Sequence, residues 1–308
     1  MKNLPLVTIG IAAYNHQEYV GYTIESVLNQ NYKNIELIII NDGSTDNTDK
    51  EISKYIDICE RTFPSFKYIN RQNKGFVPTL NEILDVSKGD YIYMLASDDI
   101  LKPEMVSKCV EFFEKKPEVE VLIFDIDLID ENNSIIKSNE SGIIGFGKKF
   151  KNLSYINLKR LLEFNYFYGP SIFIKKSVFE KIGKYDENIG FEDWDFMIRV
   201  LMENIKIDYL QESLVLYRIH QRNMNKNLIY MLENTLTLLE KYKEIPDHNH
   251  RVINIFYQYL KYRFSKKELS VVKNLFREYY RFSFEDLRNP KVLVKLLIVY
   301  LKLIKRGG

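Results

Sequence analysis

Residues 6–46 read LVTIGIAAYNHQEYVGYTIESVLNQNYKNIELIIINDGSTD, and this stretch decides the fold class. Leu6 to Tyr14 is a short apolar run ending in a polar turn, and Ile35 to Asp42 is a second, dense in β-branched residues. Runs of this length without polar alternation read as strands buried on both faces. Between them Val20, Ile24, Val27 and Leu28 fall at helical spacing. The alternation continues with a strand at Phe66 to Asn70, a helix at Val77 to Ser87 and a strand at Tyr91 to Ala96. Strands joined by helices predict an α/β fold, a doubly wound, mainly parallel, Rossmann-like sheet with right-handed crossovers.

Ligands of such sheets bind outside the carboxyl ends of the strands. Strand one runs into Ala13-Tyr14-Asn15, strand two into Asn41-Asp42-Gly43-Ser44-Thr45-Asp46, and strand four into Ser97-Asp98-Asp99. The Asp42 segment alone reads equally as a turn followed by a helix N-cap. Adjacent Asp98 and Asp99 are harder to dismiss, because two like charges repel unless a cation or hydrogen-bond donors offset them. A hard divalent ion, Mn²⁺ or Mg²⁺, takes oxygen ligands of this kind and shares them with a nucleotide diphosphate.

From Val119 to about His220 the pattern mixes strands (Val119 to Asp130, Ser171 to Lys175, Lys206 to Arg218) with short helices and a turn at Asn132-Asn133. From Asn227 it is helical. Charge switches at the same place. The 308 residues sum to +2, but those from 226 onward hold 17 Lys+Arg and 8 Asp+Glu, a net +9 against −7 for the rest. Two parts are expected, a catalytic domain over 1–225 and a helical region over 226–308. The near-neutral total argues against a nucleic-acid coat, and 45% hydrophobic content excludes a disordered chain. Cys59 and Cys109 lie far apart in apolar stretches and read as buried free thiols of a reducing compartment. The first apolar run is too short and too polar for a signal peptide, and no stretch approaches the roughly 18 apolar residues of a spanning helix. A cytoplasmic protein is expected.

With these motifs in order, the chain resembles the family 2 glycosyltransferases, inverting enzymes of GT-A fold that transfer a sugar from a nucleotide diphosphate. Later pieces extend the resemblance: Asn73-Lys74-Gly75, Lys88-Gly89-Asp90 leading to LASDDILKP, Gly169-Pro170-Ser171, Gly183-Lys184-Tyr185-Asp186-Glu187, GFEDWDFMIRV from Gly190, and Tyr217-Arg218-Ile219-His220. It covers roughly residues 4 to 225.

The resemblance implies that Ala13, Tyr14 and Asn15 line the nucleotide pocket, that Asp42 accepts from the base or ribose, and that Asn73, Lys74 and Gly75 close the base on its other side. Ser97, Asp98 and Asp99 fall on the Asp-x-Asp signature, with Ala96 standing where many members have the first Asp. Metal coordination is thereby left to Asp98 or Asp99, with His220 completing the site and Arg218 or Arg222 forking onto phosphate. Asp193 matches the catalytic base, which deprotonates the acceptor hydroxyl, and Glu192 orients the acceptor or Asp193. Taken without the family, Asp193 is an N-capping carboxylate and Asp195 an i,i+4 partner of Arg199. His16, His248 and His250 read as surface histidines.

The implied activity is sugar transfer, from a UDP-sugar, to a growing surface glycan such as an O-antigen, capsule or lipooligosaccharide on a lipid carrier. The competing readings are a non-catalytic sugar-nucleotide binder, favoured only by Ala96, and a nucleotidyltransferase, which would want a Gly-rich basic loop where AAYNHQEY stands. In KVLVKLLIVYLKLIKR, Lys291, Lys295, Lys302, Lys305 and Arg306 share an arc of about 100° on a wheel whose other positions are apolar. This helix, 290–306, is expected either to lie on an anionic inner leaflet with its apolar face in the acyl boundary, or to dock on the protein or on a second copy. Its apolar wheel argues against nucleic acid.

Overall fold

The computed structural model describes residues 4–140, 157–163, 165–223, 227–262, 264–280 and 289–305. In chain order its strands are β1 (Val7–Ala13), β2 (Ile35–Asp42), β3 (Ser65–Arg71), β4 (Tyr91–Ala96), β5 (Ile100–Leu101), β6 (Val121–Ile129), β7 (Ile135–Glu140), β8 (Ile172–Lys175) and β9 (Ile207–Arg218). They form one sheet in the order β3-β2-β1-β4-β8-β6-β9-β5, with β7 paired to β6.

Every residue of β1 and β2 is buried, which is why neither alternates in polarity. These two with β3 and β4 make the expected parallel half, in which Ala12 stands beside both Ile40 and Ala96. The other half is mixed: β8 runs antiparallel to β4 and β6, β5 antiparallel to β9, and β9 parallel to β6. Helices Val20–Leu28 and Phe76–Val86 connect the first strands, each within two residues of the sequence expectation at its start.

Two polar groups inside the parallel half are fully used. Glu36 is 2% exposed and accepts from Thr8 Oγ1 at 2.6 Å, Ser65 Oγ at 3.0 Å and the Lys88 N–H at 2.6 Å. The Gly89 N–H donates to Thr8 Oγ1 at 2.9 Å, and a Cβ at Gly89 would stand 2.5 Å from the Thr8 nitrogen. Asp90 accepts the Leu6 N–H. The Lys88-Gly89-Asp90 motif is therefore structural, clamping the start of β4 to β1. Cys59 and Cys109 are both buried free thiols, and burial pushes the Cys59 thiol up to about 12.

The chain divides into two compact units: one holds the sheet and ends at His220, and the other begins at Gln221 and also takes in Leu158–Asn165 and Asn188–Phe191. Helices Leu228–Lys241, His248–Tyr259, Lys266–Tyr279 and Pro290–Lys305 build the second unit around Leu236, Val252, Phe256, Val272 and Phe276. Asn227 caps the first of them, and Ser265 with Glu268 forms a capping box on the third.

Helix Pro290–Lys305 docks on this core through Leu296, Val299 and Leu303. Two members of its basic stripe are engaged with the second unit's own core helices, and Lys291 is exposed. Lys295 donates to Asn254 Oδ1 at 2.8 Å and Lys302 to the Leu260 carbonyl at 3.2 Å. Exposed apolar positions lie elsewhere on the helix: Val294, Leu297 and Leu301, each more than half exposed and nearly opposite the docked face, with Tyr300 beside them. Arg306 lies outside the described residues. No helix among the described residues is long and apolar enough to cross a membrane.

Candidate active site

The loops after β1 and β2 are bound to each other through side chains. Asn15, with φ of 53°, accepts the Thr45 N–H on Oδ1 at 2.8 Å, and its own N–H donates to Ser44 Oγ at 3.0 Å. Gln17 Oε1 accepts the Asn47 N–H, and the Gln17 N–H donates to Asp46. Ala13 is buried at the strand end, whereas Tyr14 is 47% exposed at the rim. Gly43 sits at φ 69°, and a Cβ there would stand 2.5 Å from the Asn73 nitrogen, so only glycine admits the approach of these two loops.

Asp42 is 3% exposed and already engaged. Its carboxylate accepts the Lys74 N–H at 2.8 Å, the Gly75 N–H at 2.9 Å and a bond from Arg71, while Asn73 Nδ2 donates to its carbonyl at 2.8 Å. Asp42, Asn73, Lys74 and Gly75 are brought together, but by bonding one another directly, whereas the resemblance had placed the three on the far side of a base from Asp42. Arg71 was not singled out by sequence. Its signal is positional: it ends β3 directly beside Asp42 in the parallel register. Arg71 also bonds Glu82 and Thr79, which fixes its guanidinium beside Asp42.

At the ends of β4 and β9 the chain assembles a second group. Asp98 Oδ2 lies 2.8 Å from His220 Nε2, and His16 Nδ1 lies 3.9 Å from Asp98 Oδ1. One donor atom from each of His16, Asp98 and His220 lies within 4.8 Å of the others. Two imidazoles and a carboxylate converging at this spacing suit a divalent transition-metal ion, so the residues present fit the metal that the sequence implied. His16, read from sequence as a surface residue, is part of this group, with 22% of its side chain exposed. Ser97 Oγ stands 2.8 Å from His16 Nδ1.

Asp99 is not in that group. It is 0% exposed and accepts the Arg218 N–H on Oδ1 at 2.9 Å, while its other oxygen has no partner among the described residues. Burial and the neighbouring Asp98 charge raise its pKa far above the carboxylate range, outweighing the opposing pull of Arg218. The Asp98-Asp99 repulsion noted from sequence thus falls on Asp99, whose buried carboxyl is pushed toward its neutral form.

Arg218 differs most from expectation. Instead of reaching toward phosphate, its guanidinium is fully buried: Nε donates to the Asp98 carbonyl at 2.7 Å, Nη1 to the Asp130 carbonyl at 3.0 Å and Nη2 to Asn133 Oδ1 at 2.6 Å. The Tyr19 ring stacks against it, 4.7 Å from Cζ, and Tyr19 also packs 5.1 Å from the His220 ring. Arg218 is the keystone behind Asp98 and His220. Arg222 belongs to the second unit.

Helix Glu192–Met202 opens with Glu192, Asp193 and Asp195 in its first turn, where carboxylates complement the helix dipole. Asp195 is buried and bonded to Arg199 at 2.8 Å, so this acid is the structural one. Glu192 and Asp193 line an apolar pocket with Phe76, Leu80, Met94 and Gly169, and a methyl group at Gly169 would meet Asp193 Oδ2 at 3.4 Å. Burial, then the Asp193 charge, pushes Glu192 from 4.5 up to about 8. Glu192 therefore holds a proton near neutral pH. Tyr217 connects the two groups electrostatically: burial first, then Asp99, Asp98 and Asp193, push its phenol upward.

Comparisons with known proteins identify the family and the fold. Residues 8–183 match the family described as Glycosyl transferase family 2. The O-antigen biosynthesis glycosyltransferase WbnJ of Escherichia coli is 30% identical over 237 residues, covering 76% of this chain and 87% of WbnJ. Among solved structures, S. aureus TarS in complex with UDP-GlcNAc superposes with a TM-score of 0.60 at 14% identity, covering 98% of this chain and 89% of that one. The mannosyltransferase PcManGT of Pyrobaculum calidifontis, in complex with GDP-Man and Mn²⁺, gives 0.60 at 11% identity, covering 99% and 87%. At these identities the structures speak for the fold, which is theirs. With more than half of its length matched by the family, and with the family's motifs gathered at the strand ends, this chain belongs to glycosyl transferase family 2.

Proposed function

We propose that the protein is an inverting transferase that moves a sugar from a nucleoside diphosphate, a UDP-sugar, to a hydroxyl of a growing surface glycan. The observation that carries this reading is the convergence of His16, Asp98 and His220 beside the Asp42 pocket strands, at the carboxyl ends of β1 and β4. The bound neighbours TarS, with UDP-GlcNAc, and PcManGT, with GDP-Man and Mn²⁺, support the donor class, and WbnJ supports the acceptor class.

Asp42, Arg71 and the backbone of Lys74 and Gly75 form the wall against which a base is held. His16, Asp98 and His220 hold the divalent ion, whose chemistry when bound is to offset the charge growing on the leaving diphosphate. Asp193 takes the proton of the acceptor hydroxyl as that oxygen attacks the anomeric carbon. Glu192 carries its proton at neutral pH, so it serves as a hydrogen-bond donor rather than a competing base.

Purified protein with Mn²⁺ should release nucleotide diphosphate from at least one member of a panel of UDP- and GDP-sugars, faster with glycan acceptors, and lose this on addition of a chelator. Silence across the whole panel defeats the enzymatic reading.

The exposed strip Val294, Leu297 and Leu301 on a tail of net +9 supports a peripheral seat on an anionic leaflet. Charge draws the tail to the surface and the strip enters the acyl boundary. In flotation with phosphatidylglycerol vesicles, the Leu297→Glu, Leu301→Glu double variant should lose most of the bound fraction, and raised salt should lower it. Equal flotation of variant and parent rules this out.

A further inference from the structure

Central strands of a parallel sheet bury both faces, yet on β4, which lies between β1 and β8, Met94 and Ala96 share one face and are only half-buried. Both line the apolar pocket that also holds Glu192 and Asp193. We propose that this pocket receives the acetamido group of an N-acetylamino sugar, carried by the donor or by the acceptor. The inference rests on the transfer reading above, in which both sugars meet at Asp193, and deepens it.

The volume of the pocket is about 90 Å³, well under the roughly 300 Å³ of one that encloses a whole ligand. It has room for a substituent and not for a sugar ring. Leu80, Ile172 and Phe196 continue the apolar lining. Apart from Tyr185, the only polar side chains lining it, among the described residues, are those of Glu192 and Asp193. A sugar hydroxyl placed there gives up its hydrogen bonds to water against a wall of carbon, whereas a methyl group gains by leaving water.

A methyl alone, as on a 6-deoxy sugar, suits the walls but leaves Glu192 unanswered. Burial and the Asp193 charge keep a proton on that carboxyl near neutral pH, so it donates, and a buried donor is satisfied by an uncharged acceptor such as an amide carbonyl. The acetamido group supplies both parts, a methyl for the walls and a carbonyl for Glu192. The pocket also shares its edge with the base. Gly169 lines it, and a methyl group on Gly169 would meet Asp193 Oδ2 at 3.4 Å. A substituent seated here therefore brings its own ring against Asp193.

The test gives the full-length protein, with Mn²⁺, UDP-GlcNAc and UDP-GalNAc against UDP-Glc, UDP-Gal and a 6-deoxy nucleotide sugar, and oligosaccharide acceptors ending in GlcNAc against those ending in Glc. In one of the two arms kcat/KM should favour the acetamido sugar by about tenfold or more, the discrimination an apolar pocket gives a group that it fits. The arm that discriminates assigns the pocket to donor or acceptor. Ala96→Val, which suits a strand and fills the pocket, should bring that ratio close to one. Saturation-transfer NMR on UDP-GlcNAc and on the GlcNAc-ended acceptor reads the pocket without turnover, and in one of them the acetyl methyl should be the most strongly saturated group of the sugar. Preference under about threefold in both arms, or preference for the 6-deoxy sugar, overturns the assignment. The wild-type ratios need no variant, so a misfolded substitution cannot obscure them. Transfer without preference sinks this inference and leaves the function standing. A saturated acetyl methyl without transfer from any donor does the reverse, and the absence of both sinks both.

Discussion

Asp193→Asn should lower kcat by about 10²–10⁴, the usual contribution of a positioned base, while leaving nucleotide binding and thermal stability close to wild type. The substitution keeps the size of the side chain and its place beside Gly169, where Asp193 Oδ2 lies. It also keeps an oxygen that can accept the Trp194 N–H, which Asp193 Oδ1 now does at 2.6 Å. What it removes is the ability to take a proton. Glu192 supplies the control. Since Glu192 carries a proton up to about pH 8, Glu192→Gln imitates its working state and should retain most of the transfer rate. Glu192 binds its proton more tightly in the folded chain than in the unfolded one. Between about pH 4.5 and 8 the folded state therefore holds more protons, and stability falls as pH rises through that window. Glu192→Gln should flatten that slope in denaturant unfolding across the range. If Glu192→Gln is the inactive variant and Asp193→Asn the active one, the two roles are exchanged.

Arg218→Leu should cost roughly 3–5 kcal/mol and lower the melting temperature by about 10 °C. The estimate follows from what is left behind. The buried Asp98 carbonyl and the half-buried Asp130 carbonyl lose their donors, Tyr19 loses the cation stacked on its face, and Asp99 loses a favourable positive charge. Arg218→Lys should recover little of this, because one ammonium cannot reach two carbonyls and Asn133 in the directions a planar guanidinium does. Calorimetry and urea titration measure both variants. If Arg218→Lys unfolds within about 1 kcal/mol of wild type and loses only donor affinity, the residue is a phosphate ligand as the sequence first implied.

The parallel half of the sheet could be read from sequence because burial on both faces forces continuous β-branched and apolar residues, as in Ile35–Ile40. The strand-end residues stood out because such sheets bind ligands at the carboxyl ends of their strands. β7 was missed for the opposite reason: Ile135–Glu140 is an edge strand with nearly all of its residues exposed, so no core imposes a pattern on it. His16 resembled a surface histidine because its partner Asp98 is 82 residues distant and meets it only through the pairing of β1 with β4. Arg218 was assigned to phosphate because nothing in Tyr-Arg-x-His reveals that the Asp130–Asn133 turn will face it with oxygens. Arg71 and Asp42 likewise sit 29 residues apart and become neighbours only by register. Chemistry within one motif is legible; chemistry shared between motifs waits for the fold.

The side-chain bonds that lace the loop after β1 to the loop after β2, Asn15 with Ser44 and Thr45, Gln17 with Asp46 and Asn47, leave these groups already committed to one another. On the proposed function, where the donor binds against this rim, binding does not have to freeze it. Each rotamer-rich side chain that a floppy rim would have to immobilise costs about 0.5–1.5 kcal/mol of affinity, and here that ordering is completed during folding. The rim is preorganised, so the free energy of donor contact is available to the reacting sugar rather than absorbed in arranging the protein around it.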